Sequence, residues 1–307
     1  MTARWNLRRL TLIDVIVAVA VCLLVLILMP GSLTRARKIG ERRRCAANLS
    51  QIGKGIFLYA ADYEGALPRA GGPTTTWGPT HNWVAPNRNA AFGLDADGNG
   101  GRATISSSLY LLVKYYQAVT GSFVCPSDRG TTEFSLEKLV GPVPNFTLAR
   151  AWDFGPAGES FQHSSYSYHL PYGPFALTTS RDPNLAVAAD RNPFIWSPDD
   201  RARIVANFKP DIEPYGGTAE QGRAGNSVSH DRTGQNVLFL DRHVTFERRA
   251  FCAVGQDNIY LVSGSADRGG VIGSAPVPAQ TTVANGRDSV LVHDPATFSS
   301  QPGVEKP

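Results

Sequence analysis

Residues 10–29 form a run of twenty with a single charge, Asp14. At about 1.5 Å per residue a helix of that length crosses the hydrocarbon core of a bilayer, about 30 Å thick. A cleaved secretory signal has a shorter apolar region, roughly 7–15 residues, that ends in a small-x-small site. Here the run ends in Met29-Pro30-Gly31, followed by Arg35, Arg37 and Lys38, so the expectation is a retained membrane helix at 10–29 behind a basic leader at 1–9. Basic charge is concentrated around it: residues 1–50 hold nine Lys and Arg against two acids, and the remainder 21 against 24. A nucleic-acid-binding body, with its basic face spread over the fold, does not fit that distribution. Counting basic residues on the two sides of the helix alone puts the body on the cytoplasmic side.

Pro30 and Gly31 predict a bend or break in the helix. Beyond them Cys45, Leu49, Ile52, Ile56, Tyr59 and Tyr63 recur at spacings of three and four, the apolar stripe of an amphipathic helix over 30–64 that packs against a head. The head, 65–262, is rich in Gly and Pro. Its segments read as a loop to about 105, a helix over 106–117, and strands over 164–169, 185–190, 237–240 and 243–246. Asp241-Arg242 reads as a two-residue hairpin connection between the last two. Residues 263–307 read as a polar, Pro-containing, mobile extension.

Arg8-Arg9-Leu10-Thr11-Leu12-Ile13-Asp14 and the apolar run after it resemble the prepilin signature of type IV pilins and type II secretion pseudopilins. The resemblance implies cleavage by a prepilin peptidase between Arg9 and Leu10, N-methylation of Leu10, and a charge role for Asp14, which neutralises the amine of a neighbouring subunit. Arg9 stands where the family has Gly, and Asp14 where it usually has Glu. Cys45, Asn48, Leu49, Ile52 and Gly53, then Cys125-Pro126-Ser127-Asp128, and finally His230 followed by Asp241 after ten intervening residues, resemble motifs of one bacterial branch of pseudopilin-like proteins. Arg242 replaces the Gly of the branch's Asp-Gly. The implied fold class is α+β, type IV pilin-like: a long N-terminal membrane and amphipathic helix on an antiparallel sheet. The implied role is non-enzymatic, in a secretion or pilus-like apparatus, with the inner membrane and other pseudopilin subunits as partners and the head periplasmic. An uncleaved chain is instead a membrane-anchored extracytoplasmic binding module.

No G-x-S-x-G elbow, Walker loop, G-x-G-x-x-G fingerprint or H-E-x-x-H helix occurs, and no nucleophile with its base is identifiable. His230 and Asp241 read as structural, the first bonding backbone at a strand edge and the second capping its turn. Asp95, Asp97 and Asn99 fit the first half of a calcium loop, D-x-[DN]-x-[DN]-G, although its twelfth position is Ser106 rather than Glu. Calcium is therefore the one cofactor the sequence raises. Of four cysteines, Cys125 and Cys252 are candidates for a disulfide in an extracytoplasmic head, Cys45 reads as core, and Cys22 as an inert apolar residue.

Overall fold

A computed structural model describes residues 11–140, 146–196, 198, 208–212, 216–264 and 273–298. Its first element, α1 (Leu12–Asp62), is one helix that continues through Pro30 and Gly31 without the expected break. It opens on a reciprocal cap. The Thr11 amide and hydroxyl donate to Asp14 Oδ2 at 2.8 and 2.7 Å, and the Asp14 amide donates back to Thr11 Oγ1 at 3.3 Å, so two otherwise unpaired donors are satisfied. These hydrogen bonds hold the Asp14 carboxyl below its ordinary value.

Among the described residues no helix is long and apolar enough to cross a membrane. This overturns the membrane helix at 10–29. With it fall the type IV pilin-like fold class, the single-pass inner-membrane location, the pseudopilin role and the membrane-anchored alternative. What stands is an α+β chain with an N-terminal helix and an antiparallel sheet.

The chain divides into two compact units, Met1–Glu41 and Arg42–Pro307; the strands, the other helices and the candidate sites lie in the second. Two short parallel strands, β1 (Thr76–Trp77) and β2 (Arg102–Ala103), flank α2 (Arg88–Phe92) and are followed by α3 (Ile105–Tyr116). The main sheet contains β3 (Tyr166–His169), β4 (Ala186–Asp190), β5 (Gln235–Phe239), β6 (Val244–Glu247) and β7 (Leu291–Val292). It is antiparallel throughout, in the order β6-β5-β4-β3-β7. Every residue of β3, β4 and β5 is buried, because both faces are covered. Tyr166, Tyr168, Ala188 and Leu238 join the core that holds the stripe of α1. Ala186, Ala189, Val237 and Phe239 pack on Ala250, Ala253, Ile259 and Tyr260. The alternation of polar and aromatic residues in 164–169 therefore does not mark one solvent-facing side: the strand is buried on both.

The α1 stripe docks as its spacing predicts: Cys45, Leu49, Ile52, Ile56 and Tyr59 are buried, and only Tyr63, at 46% exposure, reaches solvent. Asn48 Nδ2 donates to the Val124 carbonyl at 2.9 Å. Gly53 lets the helix approach β5, since a Cβ there would sit 3.0 Å from Leu238 Cδ1, whereas at Gly55 the nearest atom would be 3.4 Å away. Alanine gains about 1 kcal/mol of helix propensity at either site. Overpacking a closed core costs about 1–3 kcal/mol, so Gly53→Ala is expected to destabilise by about 1 kcal/mol while Gly55→Ala stabilises. Denaturant midpoints of the two variants check the contrast; equal shifts would remove close approach as the reason for Gly53.

Two further expectations are corrected. Within 263–307, β7 pairs with β3, and Val290, Leu291, Val292, His293 and Asp294 are buried, so this part of the segment is core and not a mobile extension. The β5–β6 connection has three residues, Leu240, Asp241 and Arg242, because Leu238 pairs with Val244 and the Phe239 amide bonds the His243 carbonyl at 3.0 Å. Arg242 takes φ 79°, the position glycine favours in a type I turn with a bulge. Its guanidinium lies 4.8 Å from the Phe57 ring centre, a cation–π contact worth about 0.5–1 kcal/mol. Arg242→Ala loses that contact and keeps the strain, whereas Arg242→Gly loses both. The glycine variant should therefore be about 1 kcal/mol more stable than the alanine variant in chemical unfolding.

Candidate functional site

Among the described residues, cysteine, histidine and carboxylate groups converge where α1 meets the sheet. Cys45, on the docked face of α1, forms a disulfide with Cys125, which opens the turn closed by the Asp128 amide on the Cys125 carbonyl at 3.0 Å. This corrects the expected Cys125–Cys252 pairing: Cys252 is free, with its Sγ against the Ala250 carbonyl at 3.7 Å, and burial pushes its thiol well up. Cys22 is free and exposed on α1.

Beside the disulfide stands His230, at the end of a short 3-10 turn, Val228–His230. Its expected bonding to backbone is replaced by side-chain contacts. Nε2 lies 3.2 Å from Asp190 Oδ2, 3.1 Å from Asn236 Nδ2 and 3.9 Å from Cys125 Sγ. Burial on its own disfavours the imidazolium, but the charge and hydrogen bond of Asp190 outweigh it and hold the His230 pKa above its ordinary value. Asp190, at the end of β4, is fully buried; Asn236 gives its Oδ2 a backbone N–H at 2.7 Å and a side-chain N–H at 3.2 Å. Asp190 Oδ1 has no hydrogen-bond partner. Next to this set, Asp128 binds the buried Arg191 at 2.9 Å, and Thr131 donates to Asp128 Oδ2 at 2.8 Å.

Of the other residues singled out in the sequence, Arg9 and Leu10 lie outside the described residues, and Asp14 caps α1. Asp241 sits in the exposed hairpin loop, takes the His243 amide at 3.1 Å, and contacts the His243 ring; it does not join His230. Asp95 Oδ1 accepts the amides of Asp97 and Asn99 at 3.0 and 2.8 Å, an Asx-type turn that accounts for the Asp-x-Asp-x-Asn spacing by local bonding. Among the described residues, the one group of at least three His, Cys, Asp or Glu placed to hold a metal is Cys45, Cys125, Asp190 and His230. Sulfur and imidazole suit a softer ion than calcium.

A second feature is a half-open cavity of about 560 Å³ near the C-terminal end of α1. Aromatic rings line it: Tyr59 stacks on Tyr63 with centroids 4.1 Å apart, and Tyr115 and Trp152 contribute further faces. Burial raises the Tyr59 phenol to about 12, so it stays a neutral donor. Arg69 and Arg88 also line the cavity. Arg88 donates to the Gly71 carbonyl, and neither guanidinium has a carboxylate partner among the described residues. Asp62, on the same rim, accepts the Tyr116 hydroxyl at 2.6 Å. Neither arginine stands out in the sequence, since isolated arginines in a Gly-rich loop carry no pattern; the stripe residues Tyr59 and Tyr63 point toward this end of α1.

The chain matches no protein-family model, no curated protein and no solved structure.

Proposed function

We propose that the chain is a non-enzymatic binding protein that holds a small carboxylate carried on a flat ring in the cavity beside the end of α1. The observation that carries this reading is the placement of Arg69 and Arg88, without ion-pair partners among the described residues, in a cavity walled by tyrosine and tryptophan rings. Its volume, about 560 Å³, falls in the range of small-molecule sites. The planar fork of a guanidinium matches a carboxylate with two parallel bonds, and an exposed aromatic face takes the ring.

Titration calorimetry of the full chain with 4-hydroxybenzoate and with its neutral amide tests the reading. Saturable binding of the carboxylate, at least tenfold tighter than the amide, is expected. Arg69→Ala should lose about 10-fold to 100-fold in affinity, the scale of one charge-assisted hydrogen bond of about 1.5–3 kcal/mol. Equal affinity for carboxylate and amide, or binding of neither, would overturn it.

A further inference from the structure

We propose that, once its disulfide is reduced, the set Cys45, Cys125, His230 and Asp190 binds a thiophilic divalent cation such as zinc. The four residues come from α1, the turn at 125–128, the 3-10 turn before β5 and the end of β4, and one ligand atom from each lies within 4.8 Å of the others. A tetrahedral zinc ion with bonds of about 2.0–2.3 Å sets its ligands about 3.3–3.8 Å apart. Small side-chain movements therefore close the site.

Two observations besides proximity point to a cation. One proton on His230 Nε2 can serve Asp190 Oδ2, but it then opposes the Asn236 amide, also within hydrogen-bond distance. A metal on Nε2 removes that conflict, because Nε2 then carries no proton, and the Asn236 amide keeps its bond to Asp190 Oδ2. The second is Asp190 Oδ1, a buried carboxylate oxygen without a hydrogen-bond partner. A buried polar atom of this kind is costly and calls for a partner. The donor set, two sulfurs with one imidazole and one carboxylate, suits zinc better than calcium or magnesium.

The disulfide and the metal are alternatives. A dithiol passes two electrons and two protons to the Cys45–Cys125 bond, which leaves two thiols and the reductant's own disulfide. The incoming M²⁺ displaces both thiol protons and any proton on His230 Nε2. In either state α1 stays joined to the head, by a covalent bond in one and by a metal in the other.

The test uses the full chain, reduced with a phosphine that does not bind metal and titrated anaerobically with Co²⁺. One cobalt per chain is expected, with thiolate-to-metal charge-transfer absorption and the visible bands of a tetrahedral site, both bleached by added zinc. The oxidised chain should show neither. Cys45→Ser should remove most of the charge-transfer absorption, and His230→Ala should weaken binding at least tenfold. The Cys22→Ser/Cys252→Ser double variant should bind as the unaltered chain does. Spectra unchanged by Cys45→Ser, or a folded reduced chain that takes up no cobalt, would overturn the proposal. If reduction unfolds the chain, recovery of the far-ultraviolet circular dichroism on adding zinc supports it and failure to recover overturns it.

Discussion

Replacing Cys45 and Cys125 together by alanine is expected to lower the unfolding free energy by about 4–5 kcal/mol. The bridge spans 80 positions of sequence, and constraining an unfolded loop of that length is worth about 4.5 kcal/mol in the chain-entropy account. Domains of this kind are stable by about 5–15 kcal/mol in all, so the loss takes a large share of the total. The effect is not confined to chain entropy, because the bridge holds α1 where Asn48 meets Val124 and Leu49 and Ile52 enter the core. Guanidinium unfolding of the oxidised chain, the reduced chain in a metal chelator, and the double-alanine variant makes the comparison. The last two should agree with each other and fall well below the first. A difference under about 1 kcal/mol between oxidised chain and variant would mean that packing alone holds α1 in place.

The docked half of α1 is legible in the sequence because its signal is local. Five residues spaced three and four apart all turn inward, and Gly53 marks the close approach to Leu238. The cap at Thr11 and Asp14 is equally local, yet the acidic residue before an apolar run also fits a prepilin pattern, and one residue cannot separate the two readings. The strands are visible as short apolar runs. What the sequence hides is burial on both sides: the covering residues, Ala250, Ile259 and Tyr260, lie in a loop with no periodicity. Strand β7 is hidden for a related reason. It is two residues long, surrounded by Gly, Pro and Thr, and its partner Tyr168 lies more than a hundred residues earlier.

The metal-capable set is legible only in part. His230 stands out by its motif, but the carboxylate of that motif, Asp241, belongs to the exposed hairpin loop, while the one that meets the imidazole is Asp190, forty residues before it at the end of a strand. Antiparallel pairing of β4 with β5 brings Asp190 to Asn236, and no spacing rule within one segment encodes that meeting. Cysteine connectivity fails in the same way: four thiols allow several pairings, and only the docking of α1 selects Cys45 over Cys252.

Asp153→Asn is expected to flatten part of the pH dependence of stability. The N-terminus of α3 rests on two buried acids. Asp294 accepts the Ile105 and Ser106 amides at 2.9 and 2.7 Å and the Trp77 indole at 3.0 Å. Asp153 accepts the hydroxyls of Thr80, Thr104 and Ser106 and the Phe154 amide. Burial first, and the charge of Asp294 second, push Asp153 from 3.8 up to about 7, against those hydrogen bonds. Between these values the folded chain keeps a proton that the unfolded chain has released. The contribution of Asp153 is therefore full below about pH 4, declines as pH rises, and is lost above about pH 7. Two buried histidines act in the opposite sense: burial lowers His169 to about 4 and His293 well below its ordinary value, so their contribution is lost as pH falls below 6.5. The unaltered chain thus shows a compound profile, and the difference between variant and unaltered chain isolates Asp153. Asparagine keeps the shape of the protonated carboxyl without a charge to desolvate. Its stability relative to the unaltered chain should rise by about 4 kcal/mol between pH 4 and pH 8, at about 1.4 kcal/mol per pKa unit. Urea unfolding at pH 4, 5, 6, 7 and 8 measures it, and a flat difference across that range would show that Asp153 ionises in the folded chain as readily as in the unfolded one.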